Sequence, residues 1–292
     1  MSQSHISTIA IVGLGLMGGS LAAALCAARD ETGESFTVRG IARRAATVEL
    51  ALERGYIDEG SCDPAGGVRD ADVVILGTPV RTSIALLAEL GPYFPSGCIV
   101  TDIGSTKAVI AAAMAQLPAH VDPIGGHPMC GKETAGLEGA DARLFQDQVY
   151  LLTPLERTSD FAEGVMRGII ARIGARCVTV TPARHDRLVA MISHLPYLLA
   201  TCLVSTTAGV AGSDQLVWEL ASSGFRDTSR LAASELNMMR DILLTNRDNV
   251  RDMIHSFQAS LARFESYLDE NDEQAMTAFM RAAQQRREGM FR

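Results

Sequence analysis

The segment TIAIVGLGLMGGSLAAALCAARD, residues 8–30, joins a short β-rich run to an Ala/Leu helix pattern through three glycines in GxGxxG spacing. That order, strand then tight turn then helix, leaves few folds open to the chain. Gly13 permits the turn, Gly15 lets a pyrophosphate come close to the backbone, and Gly18 lets the helix pack against the strand. The unpaired N–H groups at the helix start, Leu16 and Met17 among them, then face the phosphates. A dinucleotide site is the reading, against an ordinary glycine turn.

The alternation continues. FTVRGIA (36–42), ADVVILGTP (71–79) and CIVTDIG (98–104) are apolar runs of strand length, each followed by a helix-like segment. Strands apolar on both faces and alternating with helices imply a parallel sheet covered on both sides. QVYLLTP (148–154) and ARCVTVTP (175–182) look like late strands of the same domain, with a helix over 159–174 between them. Beyond Pro182 the patterns are helical throughout, starting from Thr181 and Pro182 as N-cap and first-turn pair. The expected architecture is α/β: a Rossmann-type dinucleotide-binding domain over residues 1–182 and an all-helical domain over 183–292 that dimerises.

The end of the second strand bears on the cofactor. An acidic residue about 20 residues past the glycines binds the ribose hydroxyls of NAD. Here Ala42 stands in that place, followed by Arg43 and Arg44. Two guanidiniums offer forked donors to a 2′-phosphate, so NADP is expected, with use of NAD the alternative. Thr78 and Pro79, closing ADVVILGTP, complete the candidate cofactor residues.

A net charge of −8 argues against a general nucleic-acid surface. No signal peptide and no membrane span are expected, since no stretch of about 20 residues looks free of charges and breakers. The six cysteines form no CxxC pair, so zinc spacing is missing and reduced cytoplasmic thiols are the reading.

GGHPMCGKET (125–134) resists assignment by composition alone: turn, metal site, phosphate loop or proton handler. No companion ligands stand at metal spacing, and the better phosphate loop is at Gly13 to Gly18. A plain turn and a proton-handling histidine both remain, with Gly125 and Gly126 bringing the chain round and Pro128 stiffening it.

Five segments, IAIVGLGLMGGSLA, TDIGSTK, GGHPMCGKETAG, HDRLVAMISHLPY and ASSGFRDTSR, occur here in an order similar to that of the prephenate and arogenate dehydrogenases. The resemblance covers nearly the whole chain. It implies NAD(P)-dependent oxidative decarboxylation of prephenate to 4-hydroxyphenylpyruvate, or of arogenate to tyrosine. His127 would then accept or polarise the hydroxyl proton, and Ser105 would bond the same hydroxyl or orient His127. Arg226 would grip a substrate carboxylate, with His194 and Glu133 as secondary substrate contacts and Glu133 open to the ammonium of arogenate. Lys107 reads as a helix start, and His185, nine residues before His194, would face the opposite side of a continuous helix unless Pro196 kinks it. The resemblance further implies a homodimer joined through the helical half. No appended regulatory domain is expected. A 3-hydroxyisobutyrate-type dehydrogenase shares the glycine loop, and a non-catalytic NADP-responsive protein shares the fold. Neither explains GGHPMCGKET together with SSGFRDTSR.

Overall fold

The computed structural model describes residues 6–132 and 134–290; Glu133 lies outside the described residues. By its contacts the chain divides into two compact units, residues 1–246 and 247–292.

The first unit is built on β1 (Thr8–Val12), α1 (Leu16–Thr32), β2 (Thr37–Ile41), α2 (Ala45–Glu53), β3 (Glu59–Ser61), α3 (Pro64–Val68), β4 (Val73–Leu76), α4 (Val80–Leu90), β5 (Ile99–Asp102), α5 (Ala108–Met114) and β6 (Asp122–Pro128). It continues with β7 (Val149–Pro154), α6 (Asp160–Arg172) and β8 (Arg176–Thr179). The strands form one sheet in the order β3-β2-β1-β4-β5-β6-β7-β8. β1 to β6 run parallel; β7 joins β6 antiparallel, and β8 follows β7 in parallel.

Alternation along each strand divides the core in two. Ile9 and Ile11 of β1 join Leu21, Leu25, Met166 and Ile170 on one face, beneath α1 and α6. Ala10 and Val12 join Val74, Leu76, Leu87 and Ile110 on the other, beneath α4 and α5. Each fully buried Leu or Ile contributes roughly 1.5–3 kcal/mol by leaving water.

β6 departs from the expected turn. Gly125 and Gly126 lie within this strand, neither at positive φ, so they do not reverse the chain. They are small because neighbours crowd them. A Cβ on Gly125 would stand 2.2 Å from Thr153 Oγ1, and one on Gly126 2.7 Å from both the Asp102 carbonyl and the Tyr150 hydroxyl. Close approach of β5 and β7, not a bend, requires both glycines.

After β8 the described chain is helical. α7 (Pro182–Val189) starts as expected: the Thr181 side chain accepts from the Arg184 N–H, and Pro182 opens the first turn. A π turn over Ala190–His194 leads into α8 (Leu195–Ala211), followed by α9 (Leu216–Glu219), α10 (Ser223–Ser229) and α11 (Leu236–Thr245). The π turn lies just before Pro196, which lacks the N–H that a regular helix would direct at the carbonyl four residues earlier. Pro182–Ala211, 30 residues that include an 18-residue window of mean hydropathy 1.8, is by length and composition long and apolar enough to cross a membrane. Arg184, Asp186 and Arg187 charge its start and Pro196 breaks its middle. Its first half nevertheless buries His185, Asp186 and His194 inside the unit.

The second unit consists of α12 (Arg247–Asp269) and α13 (Glu273–Met290), held by edge contacts of Phe279 with Phe264 and Tyr267. The helical run expected beyond Pro182 is thus interrupted at Asn246. That residue leaves helical geometry and its side-chain amide bonds the Asp186 carbonyl at 2.7 Å.

Candidate active site

The cofactor residues form a ready cradle at the C-terminal end of β1. Gly13 sits at φ +104°, where a side chain would be strained and would strike Thr78 Cγ2 at 2.8 Å. A Cβ on Gly18 would meet the Gly13 carbonyl oxygen at 1.9 Å. Gly15 is different: nothing lies within 4 Å of the direction its side chain would take. Crowding by the protein therefore explains Gly13 and Gly18, whereas at Gly15 the space is open to a ligand. The Gly19 N–H closes the first helical turn on the Gly15 carbonyl at 2.8 Å, leaving the N–H groups of Leu16, Met17 and Gly18 without helical partners. Thr78 and Pro79 flank this turn from the end of β4, with Thr78 held to Ser83 by a 2.8 Å hydroxyl pair. A pyrophosphate fits here.

Arg43 and Arg44 follow β2. Both are exposed, and among the described residues neither side chain makes a hydrogen bond or ion pair. They are free cations beside the place where the ribose would lie.

The second group of candidates converges at the ends of β5 and β6. Thr101 and Ile124 are register partners, so Ser105, just past β5, and His127, near the end of β6, emerge from neighbouring strands. His127 is part-buried, and its Nδ1 lies 2.8 Å from His185 Nε2. Behind it His185 Nδ1 meets Asp186 Oδ1 at 2.8 Å. Asp186 also accepts the Lys107 N–H at 2.6 Å and the Ala108 N–H at 2.8 Å, which caps α5. Ser105 Oγ makes no hydrogen bond among the described residues, so here His127 is oriented by His185 and the hydroxyl of Ser105 is left over.

Beneath lies a buried ion pair. Lys107 and Asp102 are both fully buried; the Lys107 ammonium bonds the Asp102 carboxylate and also the Gly126 carbonyl, the latter at 2.7 Å. Asp102 accepts in turn from the N–H groups of Gly104 and Gly126, at 2.8 and 3.2 Å. Gly126, the residue preceding His127, is thereby clamped at both its carbonyl oxygen and its N–H. Lys107, read from sequence as a helix start, is part of the site's foundation.

His194 is buried, its Nδ1 3.1 Å from the Asn246 side-chain nitrogen. Burial drives its pKa down to about 4, against the opposing pull of Asp186. His127 is likewise held well below its ordinary value, chiefly by burial and then by His185, Lys107 and His194. His185 is lowered mainly by burial, which outweighs its bond to Asp186. The group is therefore neutral at pH 7, the form in which an imidazole accepts a proton.

The nine-residue separation of His185 and His194 is resolved by the π turn between them. Nine residues of regular helix turn through about 900°, which sets the two side chains on opposite faces. One residue absorbed in a π turn leaves about 800°, and both rings reach the same side. The expectation that His185 faces away from His194 holds for a continuous helix, and the π turn removes it. Sequence reasoning also passed over Asp186 and Asn246. The available signal was the His-Asp dipeptide in the first turn of an otherwise apolar stretch.

Arg226 is not brought to this cluster. It lies exposed on α10, makes no ion pair among the described residues, and does not pair with its neighbour Asp227.

Residues 26–179 match the nucleotide-binding domain of prephenate dehydrogenase, and residues 181–282 match the dimerization domain of the same enzyme. The chain belongs to the prephenate dehydrogenase family. It is 33% identical to the prephenate dehydrogenase of Bacillus subtilis over 97% of this chain and 76% of that one. Among solved structures, Synechocystis arogenate dehydrogenase shares 31% identity with a TM-score of 0.84, covering 97% of this chain and 99% of that one. Prephenate dehydrogenase from Aquifex aeolicus, in complex with hydroxyphenyl propionate and NAD+, shares 27% at a TM-score of 0.90 over 98% of each chain. As a member of this family the protein is a dehydrogenase, an oxidoreductase that uses a nicotinamide cofactor.

Proposed function

We propose that the protein oxidises and decarboxylates prephenate to 4-hydroxyphenylpyruvate, with His127 taking the hydroxyl proton. The observation that carries this is His127 at the end of β6, bonded to His185 and preceded by a Gly126 that Lys107 and Asp102 clamp, with Ser105 at the end of the neighbouring strand. The nicotinamide supplies the hydride acceptor. The hydroxyl proton passes to His127 Nε2 as the ring carbon becomes a carbonyl. The ring carboxylate then leaves as CO2, its bonding electrons making the ring aromatic and the carbonyl oxygen a phenolate. That oxygen recovers the proton from His127, so no proton is gained or lost overall. Ser105 bonds the same hydroxyl. Arg226 binds a substrate carboxylate and positions it, since tight pairing with the departing group would stabilise the ground state. His194 makes a secondary contact or gates the site, and Glu133 a contact to the substrate side chain.

Arogenate is the second reading, favoured by the likeness to the Synechocystis enzyme and by Arg43 and Arg44. The test is turnover of prephenate and arogenate with NAD and with NADP, followed by absorbance of the reduced cofactor. No turnover with any of the four pairs would refute the assignment.

NADP is the proposed cofactor. Arg43→Ala and Arg44→Ala should each raise KM for NADP by about tenfold to 100-fold (a lost charge-assisted pair contributes roughly 1.5–3 kcal/mol) and leave KM for NAD nearly unchanged. Equal effects on both cofactors would show these to be solvated surface charges.

We further propose that residues 1–182 form the cofactor-binding part and 183–292 the dimerising part, a division supported by where the two family models meet. Two copies pair through the helical part. Support comes from exposed Val210 (84%), Leu220 (71%) and Leu236 (71%), and from an apolar 18-residue window of Pro182–Ala211 only 28% buried within one chain. Light scattering should give twice the 31.2 kDa chain mass. The protein is assigned to the cytoplasm, where six unpaired thiols stay reduced.

A further inference from the structure

We propose that Asp186 and His185 set the tautomer of His127, so that its Nε2 faces the substrate hydroxyl as an unprotonated acceptor. The inference rests on the catalytic reading of His127 and adds two positioning residues to it.

The direction of every bond in the chain follows from groups that cannot reverse. The N–H groups of Lys107 and Ala108 are fixed donors, and both point at the Asp186 carboxylate. An ionised carboxylate only accepts. His185 Nδ1, 2.8 Å from Asp186 Oδ1, must therefore carry the hydrogen. A neutral imidazole with hydrogen on Nδ1 has its acceptor at Nε2. That Nε2 lies 2.8 Å from His127 Nδ1, so His127 donates, and its own lone pair is left on Nε2. A carboxylate behind an imidazole fixes which nitrogen carries the proton; here the same logic passes through two rings instead of one.

The arrangement fails as a base if His185 is protonated, because His127 Nδ1 would then accept and its Nε2 would carry the hydrogen. The groups facing the pair oppose that state. Lys107 lowers the proton affinity of both rings, and burial of His185 outweighs the contrary influence of Asp186 and Asp102. His194 adds a second imidazole that disfavours charge on His127. During turnover the proton from the substrate oxygen lands on Nε2, Nδ1–H stays bonded to His185, and the positive charge is spread towards Asp186. The same proton returns to the phenolate oxygen.

Two substitutions at one position separate orientation from packing. Asparagine places its amide where Nδ1 stood, so His185→Asn keeps the bond to Asp186 and loses the one to His127. Glutamine reaches to where Nε2 stood, so His185→Gln offers a carbonyl to His127 Nδ1 and loses Asp186. The expected result is a fall in kcat of about tenfold or more for His185→Asn with KM within twofold, and recovery of most of that loss in His185→Gln. Equal losses in both variants, or no loss in either, would overturn the proposal. An activity-free measurement runs beside this: the nitrogen-15 shifts of His127, assigned by comparison with His127→Asn, should show hydrogen on Nδ1 in the native protein. Hydrogen on Nε2 would overturn it. Full activity in His127→Asn would instead refute the catalytic reading, leaving the tautomer measurement to stand by itself.

Discussion

His127→Asn is expected to lower kcat by about 100-fold or more, since general acid–base catalysis contributes roughly 10²–10⁴. KM for the substrate should change little. The substitution is mild for the fold. The asparagine amide occupies the place of Nδ1 and still donates to His185 Nε2, now 2.8 Å from His127 Nδ1. What disappears is Nε2, the atom assigned to the substrate hydroxyl. Arg226→Ala makes the contrast. Arg226 stands on the exposed helix α10, away from the histidine cluster, so its loss should raise KM and spare kcat. The reverse pattern would exchange the binding and catalytic roles. The pH profile gives a second measure. His127 is held below its ordinary value of 6.5, by burial first and by His185 and Lys107 next. The neutral base is therefore present above that lowered value and is lost as pH falls through it. The acid-side fall of kcat/KM should lie below pH 6.5, and a fall centred above 6.5 would show that His127 is not the group that titrates.

Much of the frame was legible because local chemistry and tertiary demand agree there. The glycines at 13 and 18 are required by the turn itself, and Thr181 with Pro182 starts a helix by its own side chain and ring. β1 and β4 are apolar on both faces because helices cover both. β6 was not legible as a strand. Pro123, Gly125 and Gly126 have poor strand propensity, and the reason for the glycines is the nearness of Asp102, Tyr150 and Thr153, residues distant in sequence. The same limit hid the second ring of the site. Periodicity places His185 opposite His194 on a regular helix, and only the π turn at Ala190–His194 brings both to one side. Asn246 looks like any polar residue in a helix until its bonds to Asp186 and His194 are seen. His127 itself was accessible through its surroundings in sequence; its orienting partners were not, because they come from a helix that starts 55 residues further on.

Lys107→Met should be the most damaging of the site substitutions to stability. Lys107 and Asp102 are both wholly buried, and among the described residues the ammonium is the one countercharge in direct contact with the carboxylate. Methionine matches the length of the stem but leaves Asp102 with two backbone N–H groups, those of Gly104 and Gly126. Breaking a buried pair from one side costs about 3–5 kcal/mol, because the remaining charge has no partner and no water. At roughly 2–4 °C per kcal/mol for a domain of some 150–250 residues, Tm should fall by about 10 °C. Removing both charges is a different matter. Asp102→Asn combined with Lys107→Met removes both charges of the pair and leaves neither one unpaired, so the double variant should be more stable than Lys107→Met alone, a non-additivity that a double-mutant cycle reads directly. A loss under about 1 kcal/mol in the single variant would mean that water reaches Asp102 and that the pair is not a sealed foundation. Activity should not recover with stability in the double variant. Lys107 also holds the Gly126 carbonyl at 2.7 Å and so fixes the peptide that presents His127. Methionine cannot make that bond, and a misplacement of about 1 Å in a catalytic group costs on the order of 100-fold in rate. Recovery of Tm without recovery of kcat would separate the two tasks of one buried lysine, neutralising Asp102 and aiming His127.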